Sequence, residues 1–505
     1  MAEILSLFSG LAGGVGAVLS LSILPFLLIG VFLGVTIGAI PGLTGSMLIA
    51  LSLPATFFLT PEQAMALLVA EYVGSVSGGL ISATLLRMPG TPASVMTTLD
   101  GYPMATAGRP GRALGLGTLS SLVGGLVSWG FLVLLAMPLA AFAIHFGPWE
   151  YFALALLALL LISAVREGSM IKALLSGFLG VLLAMPGEDP SIGMPRLTFG
   201  IPSIEAGFSM LPVLVGVYAI SQVFSDVTGQ EGKAEKTGAI NVIPIQVIDL
   251  IRHGRNLFRS SVIGTFVGIL PGVGANIGSV LSYLVAKNVS KESEKFGKGS
   301  EEGIVASEAG NNATVGGALI PLISLGIPGS IADAFLMSAM IIHGITPGPL
   351  LFTTNASLVY VIMGAALIAN IAMFGVMIGL IRYLRRLTDI PHSLLLPPIL
   401  VFCVVGSFAL NNRLFDVWVM LGCGALGFLM SKARVPLAPF VIGFVLAPIA
   451  EAKLRTALMI SGGSYLPVIE RPVAVVLLLM CVLLLVLPTI KSLRLKRSNQ
   501  APTRK

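Results

Sequence analysis

Charge is what this sequence has least of. Only 10% of its 505 residues are Asp, Glu, Lys or Arg, against 55% that are hydrophobic, and a soluble chain of this length would need far more charge to cover its surface. Histidine and cysteine are scarce as well. His145, His253, His343 and His392 show no metal-ligand spacing, and Cys403, Cys423 and Cys481 lie far apart in apolar segments without a Cys-x-x-Cys pair. A zinc site or a disulfide framework is therefore not expected. Catalytic signatures are missing: there is no His-Glu-x-x-His, no Gly-x-Ser-x-Gly and no Gly-x-x-x-x-Gly-Lys-Ser/Thr, so neither an intramembrane hydrolase nor an ATP-driven pump is supported within this chain. The run Gly272-Val-Gly274-Ala-Asn276-Ile-Gly278 has its third glycine one position late for a dinucleotide fingerprint and no alternating strand-helix pattern around it. The sequence gives no reason to expect an enzyme or a resident cofactor.

What the chain has in abundance is apolar sequence, with a mean hydropathy of +0.97. Crossing a bilayer takes about 20 residues, and runs of or near that length recur, among them Phe131 to Ile144, Tyr151 to Val165, Leu358 to Ile381 and Val473 to Leu487. We expect an all-α polytopic membrane protein of about 11 to 13 membrane segments, counting interrupted or re-entrant helices. The N-terminus carries Glu3 and no Lys or Arg before its first apolar stretch, which reads as a retained helix and not a signal peptide. The formal charge of +7 comes largely from loops and from residues 491–505, which hold Lys491, Arg494, Lys496, Arg497, Arg504 and Lys505. Basic residues beside membrane spans mark cytoplasmic loops, so this charge speaks for a lipid bilayer and not for nucleic acid. The tail is too polar to bury and is expected to be disordered.

Glycine and proline punctuate the apolar sequence twice in the same order. Gly34-xxx-Gly38-xx-Pro41-Gly42 is matched by Gly264-xxx-Gly268-xx-Pro271-Gly272, and Gly90-Thr91-Pro92-Ala93-Ser94 by Gly326-Ile327-Pro328-Gly329-Ser330. A Glu (Glu71, Glu308) and a Gly-Gly pair (Gly78-Gly79, Gly316-Gly317) fall between the two signals in each half. Such breaks remove backbone partners that lipid cannot replace, so they survive only where protein buries them or water reaches them. Paired breaks in corresponding halves point to a transporter's substrate site.

Charge orients the halves. The connection Ala55 to Gln63 has no basic residue while its counterpart, Lys287 to Glu302, has Lys287, Lys291, Lys295 and Lys298. After the second signal the pattern reverses: Asp100 to Arg112 holds Arg109 and Arg112, and His343 to Asn355 holds no Lys or Arg. Both pairs obey the positive-inside rule only if the repeats are inverted. The organisation expected is a single membrane transporter domain over 1–505, with repeat 1 at 22–224, a cytoplasmic linker at 225–259 and the repeat 2 core at 260–356. Peripheral or scaffold helices fill 357–490, and the basic cytoplasmic tail is 491–505. Inverted halves suit an elevator-like carrier, in which one moving unit exposes its site to each side in turn. The later helices would frame it or form a homodimer.

A helix broken in mid-membrane offers N–H groups to anions at one end and carbonyls to cations at the other. Candidate substrate-binding residues are Thr44, Gly45, Ser46, Gly90, Thr91, Pro92 and Ser94 in the first half, and Gly274, Asn276, Gly326, Pro328, Gly329 and Ser330 in the second. Asn311 and Asn312, with carbonyls freed at Pro41-Gly42 and Pro271-Gly272, suit a coupling cation such as sodium. Close helix packing at Gly-xxx-Gly spacings is the competing explanation for any one of these small residues. Arg87 either pairs with a substrate carboxylate or snorkels to the interface. Glu71, Glu308 and Asp333 read first as capping or pairing residues, and one of them could carry a coupling proton.

At these residues the chain resembles the large membrane subunit of tripartite tricarboxylate transporters. The resemblance rests on Pro41-Gly-Leu-Thr-Gly45, on Gly90-Thr-Pro-Ala-Ser94 running on to Asp100-Gly-Tyr-Pro-Met104 and Gly111-Arg-Ala-Leu-Gly115, on Glu308-Ala-Gly-Asn-Asn-Ala313, and on Gly326-Ile-Pro-Gly-Ser330. It implies a secondary transporter of the bacterial inner membrane, driven by Na+ or H+. The partners implied are a small membrane subunit and a periplasmic solute-binding protein that delivers citrate or another organic carboxylate. The chain departs from the family at Arg87, where Asn is commoner. A polytopic membrane enzyme or scaffold with unrecognised chemistry is the alternative; it would convert a substrate without any gradient.

Overall fold

The computed structural model describes residues 2–40, 43–87, 91–164, 170–189, 193–228, 248–270, 274–387 and 392–499. The chain opens with α1 (Ala2–Val18), α2 (Leu24–Ala39) and α3 (Gly45–Ser52), then passes through a 3-10 turn (Leu53–Phe58) into α4 (Pro61–Leu86), α5 (Val95–Thr106) and α6 (Pro110–Ala143). Next come α7 (Pro148–Ala164), α8 (Met170–Ala184), the two-residue strands β1 (Gly187–Glu188) and β2 (Pro195–Arg196), and α9 (Pro202–Glu205). A π-helical turn joins α10 (Met210–Val215) to α11 (Ser221–Thr228). The second half holds α12 (Ile248–Arg252), α13 (Gly254–Ile269), α14 (Gly274–Val289), α15 (Glu301–Leu325), α16 (Ile331–Ile342) and α17 (Leu351–Thr354). It ends with α18 (Ala356–Leu387), α19 (His392–Asn411), α20 (Leu414–Lys432), α21 (Leu437–Ile460) and α22 (Pro472–Asn499).

Among the described residues, five helical segments are long and apolar enough to cross a membrane: Pro61–Leu86, Pro110–Ala143, Ala356–Gly379, Leu414–Lys432 and Leu437–Ile460. Many others are apolar but only 10–17 residues long, as expected of a multi-pass chain whose helices are cut by Gly and Pro. α15 is long enough but not apolar enough, because Ser307, Glu308, Asn311, Asn312 and Thr314 lie along it, all buried. The helix α22 runs on to Asn499, so residues 491–499 are helical where their charge suggested disorder; Lys, Arg and Leu are good helix formers.

The chain divides into two compact units, Met1–Ile144 with Ser209–Lys432, and His145–Phe208 with Ala433–Lys505. In the first, α4 and α15 are the central helices: every residue from Ala64 to Leu85 and from Gly303 to Ser324 is buried. α2 and α18 pack on α4, while α13 and α6 pack on α15. Glycines let the backbones meet. A Cβ on Gly34 or Gly38 would strike the Glu71 or Ser75 carbonyl, and one on Gly264 or Gly268 would strike the Gly310 or Thr314 carbonyl. Gly78 lies against Val35 and Gly38 as Gly317 lies against Thr265 and Gly268. Packing thus aligns Gly78 with Gly317 and Glu71 with Gly310. The Gly-Gly pairs are therefore one residue out of register with each other, and the two glutamates are not equivalent, although the letters suggested both.

In the second unit α8 and α7 pack on α21, and α22 packs on α7. Gly180 faces the Phe440 carbonyl and Gly443 the Gly177 carbonyl, again a close backbone approach. The β1–β2 hairpin is pinned by charge: Arg196 meets Glu451 with both terminal nitrogens and donates from Nε to the Met185 carbonyl at 2.8 Å, while Arg455 reaches Asp189 at 2.7 Å. The Glu451 carboxylate raises the Arg196 guanidinium above its ordinary range.

Candidate functional site

Five residues of α4, Tyr72, Ser75, Val76, Ser77 and Gly79, gather what the sequence scattered. Ser75 Oγ lies under Gly45, where any Cβ would collide with it. Asn311 Nδ2 donates to the Val76 carbonyl at 3.4 Å, and Ser77 Oγ donates to Asn312 Oδ1 at 2.6 Å. Gly79 lies beneath Thr91 and Ser94, whose hydroxyls are 2.8 Å apart. Tyr72 Oη is 2.9 Å from Ser330 Oγ. Residues 72 and 79 of one helix are about 10 Å apart along its axis. Candidates from both halves therefore meet one two-turn stretch of helix.

The contacts are crossed between halves. The 3-10 turn Pro92–Ser94, from the first half, packs on α14 and α15, and α16, from the second, packs on α3 and α4. Gly45 and Gly79 carry no side-chain bulk where Ser75, Thr91 and Ser94 of their own half press against them. Gly329 lies against Ala318 of α15 and the Gly268 carbonyl.

Two candidate hydroxyls serve as caps. Thr44 Oγ1 accepts from the Met47 N–H at 3.2 Å at the start of α3, and Ser330 Oγ accepts from the Asp333 N–H at 3.3 Å at the start of α16. Capping satisfies one of the free N–H groups of each helix and leaves the rest of the first turn to an anion. Ser46 is half-buried in the first turn of α3. Gly326 ends α15 in the left-handed region at φ 69°, against the Pro347 carbonyl, and Pro328 is buried. Pro41, Gly42, Gly90, Pro271 and Gly272 lie outside the described residues, as do the side chains of Pro92 and Asn276 and the surroundings of Gly274.

The asparagines differ in what they leave open. Asn312 donates to the Glu308 carbonyl at 3.1 Å and its oxygen is taken by Ser77, whereas Asn311 Oδ1 is buried with no hydrogen-bond partner among the described residues. The buried carboxylates differ likewise. Glu308 accepts from Thr97 Oγ1 at 2.5 Å and Ser121 Oγ at 3.1 Å, while Glu71 accepts from Ser52 Oγ at 2.5 Å with one oxygen and from nothing with the other. Arg87 is exposed, caps α4 at φ 56° and lies 5.7 Å from the Tyr102 ring centroid. The left-handed region favours Gly or Asn over a long side chain such as this one.

Sequence reasoning missed Tyr72, Ser75 and Ser77 of α4, and Thr97 and Ser121 beside Glu308. A signal existed: Ser75, Ser77 and Ser82, with Glu71 and Thr84, interrupt a helix that is otherwise largely apolar. It also missed Asp100, wholly buried, whose Oδ1 accepts from the N–H groups of Gly297, Gly299 and Ser300 at 2.8–2.9 Å and whose Oδ2 accepts from Tyr283 Oη at 2.8 Å. Among the described residues no group of three or more His, Cys, Asp or Glu side chains could hold a metal ion.

Residues 24–442 match the tripartite tricarboxylate transporter TctA family. The chain is 35% identical over 469 residues, 92% of its length and 93% of the relative's, to an uncharacterized 52.8 kDa protein in the TAR-I ttuC' 3' region of Agrobacterium vitis. It is 38% identical over 234 residues, 46% of its length and 97% of the relative's, to an uncharacterized protein in the TAR-II ttuC' 3' region of the same organism. No solved structure matches. With broken helices converging on one stretch of α4 and a family match over most of its length, the chain belongs to the tripartite tricarboxylate transporter TctA family.

Proposed function

We propose that this chain is the carrier subunit of a Na+- or H+-driven importer of tricarboxylates or related organic acids in the bacterial inner membrane. It works with a small membrane subunit and a periplasmic protein that delivers the substrate. The observation that carries this reading is the convergence of three broken segments and the Asn311-Asn312 pair of α15 on Tyr72 to Gly79 of α4. The helix starts at Gly45 and Ser330 hold substrate carboxylates by their N–H groups, with Thr91 and Ser94 alongside. The coupling cation sits at Asn311, whose amide oxygen is open, with carbonyls of the Pro41-Gly42 and Pro271-Gly272 breaks.

Residues 22–224 and 260–356 form two inverted repeats in this reading, joined by the linker 225–259. Support comes from the common packing register of α2 on α4 and α13 on α15, and from the opposite placement of basic residues in matched loops. Exchange of conformation between such halves carries the site from one side to the other, elevator-fashion, with helices of 357–490 in the frame. Cysteine accessibility tests the inversion: labels near Lys291 and Arg109 react from the cytoplasm and those near Thr60 and Thr353 from outside. Lys291 and Thr60 on one face would refute it.

A further inference from the structure

We propose that Asp333 binds a proton together with the carboxylate substrate, so that proton and anion reach the start of α16 as a pair; this rests on the transport reading above. Buried carboxylates in this unit are graded by what they accept. Asp100 takes four hydrogen bonds, Glu308 two and Glu71 one, whereas neither oxygen of the wholly buried Asp333 has a hydrogen-bond partner among the described residues. The Ser330 hydroxyl and the backbone N–H groups of Ser330 and Asp333 at the start of the same helix lie beside the carboxyl, and none of the three reaches it in hydrogen-bond geometry. An ionised carboxylate left so is costly in a membrane interior, and a neutral acid is not.

Position gives the proton a purpose. Asp333 is in the first turn of α16, a 12-residue helix whose start is capped by Ser330. That turn is where an anionic substrate is held, and a second negative charge there repels it. A proton on Asp333 removes the repulsion, so substrate and proton favour each other's binding by the same factor. A sodium ion fits this spot poorly, since a hard cation takes about six oxygens and the nearby hydroxyls of Tyr72 and Ser330 already bond each other.

No basic side chain of the neighbouring helices offsets the charge. α4 carries Glu71 and Tyr72, with Glu62 near its start, and α15 carries Glu308, with Glu301 and Glu302 in its first turn. α3, α10 and the 3-10 turn Leu53–Phe58 carry no titratable side chain, Tyr218 meets Phe335 of α16 edge-on, and His343 closes the far end of α16.

Infrared difference spectroscopy of the purified membrane complex tests the assignment. A protonated-carboxyl band present at neutral pH should be lost in Asp333→Asn and kept in Glu308→Gln, and the Asn variant, which has the shape of the neutral acid, should fold. Citrate affinity of the wild type should fall about tenfold per pH unit once the proton leaves, while Asp333→Asn should give a flat profile. A band unchanged in Asp333→Asn overturns the proposal, as does a wild-type pH slope in that variant. A band removed by sodium addition overturns it too, making Asp333 a metal ligand. Should Asp333→Asn not fold, Ser330→Ala must shift the same band, and an unshifted band overturns the assignment. Absence of carboxylate uptake with the band still lost in Asp333→Asn would refute the transport reading and leave the proton at Asp333 standing.

Discussion

The Ser77 hydroxyl donates to the Asn312 amide oxygen at 2.6 Å, tying α4 to α15 between residues 235 apart in sequence. Both side chains are buried, so removing Ser77 leaves the Asn312 oxygen short of a partner at about 1–3 kcal/mol, while removing Asn312 leaves Ser77 its bond to the Val73 carbonyl at 3.2 Å. Ser77→Ala and Asn312→Ala should each lower the melting temperature of the detergent-solubilised protein, and the double variant should lose less than the sum. Strict additivity would show that the two do not act as a pair.

Asn311 should behave differently from its neighbour. With its oxygen unclaimed among the described residues, Asn311→Ala gives up one long hydrogen bond to the Val76 carbonyl and a buried side chain, and removes a cation ligand. Uptake assays should show a several-fold rise in the ion concentration for half-maximal rate in Asn311→Ala and a smaller one in Asn312→Ala. Unchanged ion dependence in both variants would return the pair to a packing role.

Asp100 fixes the segment before α15 through three backbone N–H groups. Asp100→Ala strands all three and should cost about 3 kcal/mol. Lys295 and Lys298 border that segment, so limited trypsin digestion should nick there faster in the variant. Wild-type cleavage rates would mean that other contacts hold the segment.

Arg87 pays for a left-handed backbone that Asn or Gly adopts more easily, and its exposed guanidinium stacks over the Tyr102 ring. Arg87→Asn should stabilise the protein by up to about 1 kcal/mol and leave uptake intact. Lost uptake in a folded Arg87→Asn variant would place the guanidinium on the substrate.

Pro and Gly made the broken segments legible, because each has a backbone consequence that survives any tertiary context. Gly326 and the position of Arg87 show it: both end long helices in the left-handed region. Their partners on α4 were harder to see, since a Ser in an apolar helix reads equally as packing. Asp100 was invisible as a clamp, because its partners are N–H groups nearly 200 residues away, which no side-chain pattern records. Nor could letters set the register between α4 and α15; Gly78 aligns with Gly317 through what each touches. The pairing of residues 145–208 with 433–505 has the same cause, as helices apolar all round carry little sign of which neighbour they choose.

The central claim is that an ion gradient drives carboxylate through the place where the broken segments meet α4. Its most direct test is uptake of labelled citrate and a panel of di- and aromatic acids into proteoliposomes that hold all three components, with wild type compared to Gly79→Val. A side chain at Gly79 collides with Thr91 and Ser94. The account predicts gradient-dependent accumulation of a carboxylate by wild type and its loss in a folded Gly79→Val protein. Accumulation that ignores the gradient, or that survives Gly79→Val unchanged, would contradict it.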